Sequence, residues 1–179
     1  MPVLFRMMYC CGMRPEEPLK LLKEDVRLET GEIYIRKDKN WQDRRILMSK
    51  ELLELSRKYA NQVYTTKYFF ENRHGESFNS EWSRIQFNYC WDLSGLSRRK
   101  RVRPYDLRHN FATRTIQRWL SEGKDFHMMV SYLSAYMGHS EFSSTLYYVN
   151  LLPKMFLDNS GIDWKQFSQI YPEVSHEDN

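Results

Sequence analysis

At 179 residues, with 41% hydrophobic and 15% aromatic content, the chain has the length and composition of one folded domain with a sizeable core rather than of a disordered segment. Lysine and arginine outnumber aspartate and glutamate 27 to 23, and the resulting net charge of +4 is too mild to mark a nucleic-acid binder by composition alone. The three cysteines, Cys10, Cys11 and Cys90, include no CxxC pair, which argues against a disulfide framework or a cysteine-held zinc and leads us to expect a reducing, cytoplasmic setting.

The opening "MPVLFRMMYCCGM" carries neither a basic leader nor a small-residue cleavage site. No apolar run in the chain approaches the roughly 18 residues that span a bilayer. Val3, Leu4, Met7 and Met8 begin core-like sequence at once, so the chain is expected to start inside a domain, as a piece of something longer. Helical spacing runs from Val3 to Cys11 with Gly12 as C-cap, and Pro15, Glu16 and Glu17 start a second helix that turns Leu19 and Leu22 inward. Two helices then meet near Arg14. From Val26 to Met48 the alternation of Ile33 and Ile35 and the renewed apolar run "RRILM" predict a small antiparallel sheet, with turns at Thr30 and Gly31 and around Asn40. Helices follow from Ser49 through Tyr59 and, capped by Ser80, to about Leu93, with a connection around Gly75 between them. Pro104 opens another helix whose Leu107, Phe111 and Thr115 are expected to face the core, and further helices cover about Phe126 to Met137 and the neighbourhood of Ser143 to Asn150. The fold class is mainly α with a small antiparallel β-sheet.

Single features say little about function. The basic run Arg98, Arg99, Lys100, Arg101 and Arg103 reads by itself as a solvated loop, and the aromatic clusters "KYFF", "FNYCW" and "LYY" read as core. His109 and His127 have no carboxylates or cysteines at metal-ligand spacing. No set of clustered carboxylates suits a metal-dependent nuclease, and neither a metal nor a cofactor is expected.

The order of three blocks is more specific. "YCCGMRPEEPLKLLKEDVRLETGEIYIRKDKNWQDRRILMSKEL", then "RPYDLRHNFAT", then "YMGHSEFSSTLYYVN" together resemble the catalytic domain of the tyrosine recombinases, the phage integrase family. The first matches its glycine, apolar residue and arginine with a glutamate three residues on, followed by a strand pair; the second its arginine motif; the third its glycine-histidine pair with a tyrosine nine residues after the histidine. The resemblance covers roughly residues 3 to 152. It implies a catalytic domain over 1–152 that lacks the preceding DNA-clamping arm, and a tail over 153–179.

Carried over, the resemblance makes Arg14 and Arg108 the paired arginines, Lys39 the lysine of the strand turn, His139 the late histidine and Tyr148 the nucleophile, with Glu17 buttressing Arg14. Elementary chemistry agrees. Attack on a phosphodiester without a metal needs fixed donors for the charge of the pentavalent transition state, and guanidiniums present planar forks to non-bridging oxygens. A phenol of pKa about 10 must also lose its proton as it attacks, and the departing 5′ oxygen must gain one. His139 suits the first transfer and Lys39 the second. Tyr147 remains the alternative to Tyr148, and the count from His139 favours the latter; Lys37 remains the alternative to Lys39, which the interval to "RRILM" favours.

Tyr105 stands where the family usually has histidine, and Asn150 where it often has another. Tyrosine can donate a hydrogen bond but cannot carry positive charge. With Arg108 near a helix start, where backbone N–H groups favour a phosphate, the run from Arg98 to Arg103 gains a role along the neighbouring DNA backbone. The implied partner is double-stranded DNA, bound by a protein that is monomeric when free and assembles as a homotetramer on two duplexes. Leu151 to about Tyr171 would then dock on a neighbouring subunit. A type IB topoisomerase-like enzyme and a catalytically weak DNA-binding relative are the alternatives.

Overall fold

The computed structural model describes residues 2–36, 43–96, 102–139 and 143–150. The chain folds as two compact units, Met1–Phe111 and Ala112–Asn179.

In the first unit, helix α1 (Pro2–Cys11) buries Val3, Leu4, Met7, Met8 and Cys11, a stripe at helical spacing, and packs against helix α3 (Lys50–Gln62). It stops at Gly12, whose φ of +63° is the left-handed C-cap conformation that side chains rarely adopt. A Cβ at this position would also lie 2.4 Å from the Phe111 ring, so Gly12 is required on two counts. The expected second helix is cut to one turn, α2 (Glu16–Leu19), followed by a 3₁₀ turn over Lys23–Asp25. Leu19 is buried as expected, but Leu22 is only half-buried in extended backbone. Long-range hydrogen bonds account for the interruption: Phe69 N–H donates to the Leu21 carbonyl at 2.8 Å and Lys23 N–H to the Lys67 carbonyl at 2.9 Å.

The sheet is antiparallel and three-stranded in the order β1 (Val26–Arg27), β2 (Glu32–Ile35), β3 (Arg44–Leu47). Its register pairs Ile33 with Ile46 and Ile35 with Arg44, which puts all four on one face. The turn at Gly31 is as expected; the one around Asn40 lies outside the described residues. Ser49 caps α3 by accepting from Leu52 N–H at 3.3 Å. Helix α4 (Ser80–Leu93) begins where expected, but its cap is Asn79, which accepts from Trp82 N–H at 2.8 Å, rather than Ser80. Helix α5 (Tyr105–Ser121) buries Arg108, Ala112 and Ile116, a stripe one residue on from the expected Leu107, Phe111 and Thr115, which are half-buried.

The loop before α4 is fastened by Glu71, whose carboxylate accepts from Thr66 N–H and Tyr68 N–H at 2.9 Å each, from Lys67 N–H, and from the Thr66 hydroxyl at 2.9 Å. Desolvation opposes ionisation, but these donors outweigh it and hold the carboxyl down at about 2, against an ordinary 4.5. The stability this contributes is complete above pH 4.5 and lost as pH falls toward 2. Glu71→Gln is therefore expected to lower Tm at neutral pH, with the gap to the parent closing as thermal melts are taken down through that window.

In the second unit, helix α6 (Phe126–Met137) buries Phe126, Val130, Leu133 and Met137 and packs against helix α7 (Ser143–Asn150). Both helices have the expected bounds. Asp125 caps α6 through Met128 N–H at 2.8 Å. Among the described residues no helix is long and apolar enough to cross a membrane.

Candidate active site

Three of the expected residues come together in the first unit. Immediately after α1, Arg14 donates its backbone N–H to Glu17 Oε2 at 2.6 Å and its Nη1 to Glu17 Oε1 at 3.0 Å. Glu17 thus contacts Arg14 through both carboxylate oxygens. Its Oε2 also accepts from Arg44 Nη2 at 2.7 Å, a partner that arrives from β3. Arg108, on the inward stripe of α5, is fully buried and donates Nη1 to the Gly12 carbonyl at 2.6 Å. The chain reversal at Gly12 therefore supplies both the acceptor that holds Arg108 and the turn that delivers Arg14 two residues later.

Electrostatics follow from this geometry. Burial, then the charge of Arg108, lower the Arg14 guanidinium from its ordinary value against the pull of Glu17. Arginine nonetheless stays charged across the physiological range. Burial would raise the Glu17 carboxyl, but the hydrogen bond from Arg44 and the charges of Arg44 and Arg108 outweigh it and hold Glu17 below the usual carboxylate range. Three guanidiniums surround one carboxylate. That excess of positive charge, largely out of water, suits an anion with oxygens to offer.

In the second unit, Gly138 closes α6 in the left-handed conformation, at φ +65°, and His139 N–H donates to the Ser134 carbonyl at 3.0 Å. His139 Nδ1 lies 2.6 Å from the hydroxyl of buried Thr145, which leaves chemistry beyond this pair to Nε2. The His139 ring stacks on Tyr148 with centroids 6.0 Å apart and planes at 22°. Tyr148 is 2% exposed and Tyr147 is 39% exposed, as adjacent helical residues facing different ways must be.

Tyr105 is 37% exposed, and its ring meets the edge of His109 at 4.8 Å. Burial in the first place lowers the His109 imidazole below its ordinary 6.5, so this neighbour is neutral at pH 7. Arg103 is exposed at the start of α5, its Nη2 3.8 Å from Asp106 Oδ1. Lys37, Lys39, Arg98, Arg99, Lys100, Arg101 and the tail from Leu151 lie outside the described residues. Sequence reasoning missed Arg44 and Thr145. For Arg44 a signal existed: on a strand where Ile46 faces the core, position 44 must face it too.

A mainly helical domain with a short three-stranded sheet, a fully buried arginine paired with a partly buried one, and a histidine beside a buried tyrosine is the architecture of the tyrosine recombinase catalytic domain. The phage integrase family profile matches residues 2–155, and the chain belongs to that family. Tyrosine recombinase XerA of Saccharolobus solfataricus is 26% identical over 150 residues, covering 84% of this chain and 45% of that protein. Among solved structures, XerA recombinase shares the fold with a TM-score of 0.68 and 21% identity, over 97% of this chain and 63% of that one. XerH site-specific recombinase bound to palindromic difH substrate, a post-cleavage complex, has a TM-score of 0.66 at 22% identity, over 91% and 45%. The chain spans about half the length of the curated relatives it matches.

Proposed function

We propose that this chain is the catalytic domain of a site-specific DNA recombinase, cutting and rejoining strands through a covalent 3′-phosphotyrosine. The observation that carries the reading is the guanidinium cluster: Arg14 and Arg108 held by Glu17 and the Gly12 carbonyl, with positive charge in excess. Tyr148 attacks the scissile phosphorus while Arg14 and Arg108 neutralise the non-bridging oxygens, which gain charge in the transition state. His139, oriented through Nδ1 by Thr145, receives or shares the phenol proton at Nε2. Lys39 protonates the departing 5′ oxygen, and in rejoining the same steps run backwards. The basic residues from Arg98 to Arg103 follow the DNA backbone, the working assembly is a tetramer on two duplexes, and Leu151 to about Tyr171 docks on a neighbouring subunit.

Because fixed guanidiniums supply the charge that a metal otherwise would, cleavage is expected to be the same in chelator and in magnesium. The test is a suicide-nicked duplex pool of randomised sequence, with covalent adducts trapped in denaturant and resolved by gel. Adduct lost in chelator and restored by magnesium would overturn the mechanism.

Tyr105 donates one hydrogen bond to the phosphate in place of the family's histidine. Tyr105→Phe is expected to slow single-turnover cleavage by something like 100- to 1000-fold, the range for losing one transition-state donor. A Phe variant as fast as the parent would reduce this position to packing against His109.

A further inference from the structure

Arg44 is buried at an expense that folding alone does not explain. Its side chain is 7% exposed and its strand partners are Ile35 and, through Ile46, Ile33. Among the described residues only Nη2 has a hydrogen-bond partner, and Nε and Nη1 are buried without one. Buried N–H groups of a charged side chain that lack acceptors are costly, and an apolar side chain of similar volume at such a place is often neutral or stabilising. Among the described residues the one hydrogen bond this guanidinium makes is to Glu17 Oε2, 2.7 Å away.

That contact completes a rigid arrangement. Oε2 is held from two directions, by Arg44 Nη2 and by Arg14 N–H, so the carboxylate cannot turn about its last bond and Oε1 stays aimed at Arg14 Nη1. With Arg44 removed, a single backbone donor holds Oε2 and the plane of the carboxylate is free to tilt. We propose that Arg44 is a positioning residue of the active site: from β3, through Glu17, it sets the orientation of the Arg14 guanidinium toward the phosphate. The inference deepens the recombinase reading and rests on it for the identity of the anion. It also gives the sheet a task in catalysis, because the residue that orients Arg14 comes from β3.

The variants are Arg44→Met, which keeps volume and removes the donors, and Arg44→Lys, which keeps a charge and a donor to Oε2. On duplex pre-bound to the full chain, Arg44→Met is expected to cleave about 10- to 100-fold more slowly, the usual cost of losing a group that orients a site residue, with Tm no lower than that of the parent. Arg44→Lys is expected to recover most of the rate. In a Glu17→Gln background, Arg44→Met should cost little more, because the route to Arg14 is already cut. Full rate in Arg44→Met, a loss of rate that merely tracks a fall in Tm, or an undiminished effect in the Glu17→Gln background would each overturn the proposal. Guanidinium signals in ¹H–¹⁵N spectra of the free chain give a reading that needs no DNA: the Arg14 Nε–H signal should move in Arg44→Met and return in Arg44→Lys. If the parent forms no adduct, the recombinase reading fails by itself, and an Arg14 signal unmoved by Arg44→Met then overturns the positioning role separately.

Discussion

Tyr148→Phe is expected to yield no covalent protein–DNA adduct, at any time of incubation, while binding duplex as the parent does. The ring is 2% exposed and stacks beside His139, and phenylalanine fills the same volume and keeps that stack, so only the oxygen proposed as nucleophile disappears. No neighbour can replace it. Tyr147 is 39% exposed on another side of α7, and Tyr147→Phe should leave the adduct intact. Gel-resolved adduct formation beside a binding isotherm separates the two effects. Adduct lost in Tyr147→Phe and retained in Tyr148→Phe would move the nucleophile by one residue.

Arg108→Lys is expected to be almost as damaging, and for a different reason. The guanidinium is fully buried on the inward stripe of α5 and fixed by a 2.6 Å hydrogen bond to the Gly12 carbonyl. In the proposed mechanism this guanidinium is at once anchored by the protein and set against the phosphate. Lysine offers a point charge on a flexible stem and cannot do both at once. Losing a transition-state donor costs about 10²- to 10³-fold, and an arginine that neutralises a transferring phosphoryl group is worth about 10³ to 10⁵. Arg108→Lys should therefore fall near the first range and Arg108→Ala near the second, in single-turnover cleavage of pre-bound duplex. Thermal melts taken alongside show how much of the Ala effect comes from the emptied core position. Duplex affinity should change far less than rate, because the phosphate gains most of its charge only in the transition state.

Much of this arrangement was legible in the sequence, and the exceptions share a cause. Helices α6 and α7 fall where they were expected because apolar spacing is a local signal. The second helix was overestimated because its continuation competes with hydrogen bonds from Lys23 N–H to Lys67 and from Phe69 N–H to Leu21, partners more than 40 residues away that no local pattern contains. On α5 the apolar residues Leu107 and Phe111 pointed to a core face one position short of the true one, because the centre of that face is an arginine. Arg44 escaped notice in the same way: an inward arginine breaks the binary pattern that sequence reading relies on. The paired arginines, His139 and Tyr148 were read from order and interval. What holds them, the Gly12 carbonyl, Arg44 and the Thr145 hydroxyl, is tertiary or lies in residues without a distinctive signature.

The covalent link itself is the most direct object to measure. Adduct from the parent chain, trapped on a suicide-nicked duplex in chelator and digested with protease and nuclease, should give by mass spectrometry one modified peptide. That peptide should carry a nucleotide joined through its 3′ phosphate to Tyr148. A link through a 5′ phosphate, a link at another side chain, or no adduct from a folded chain that binds the duplex would overturn the phosphotyrosine mechanism.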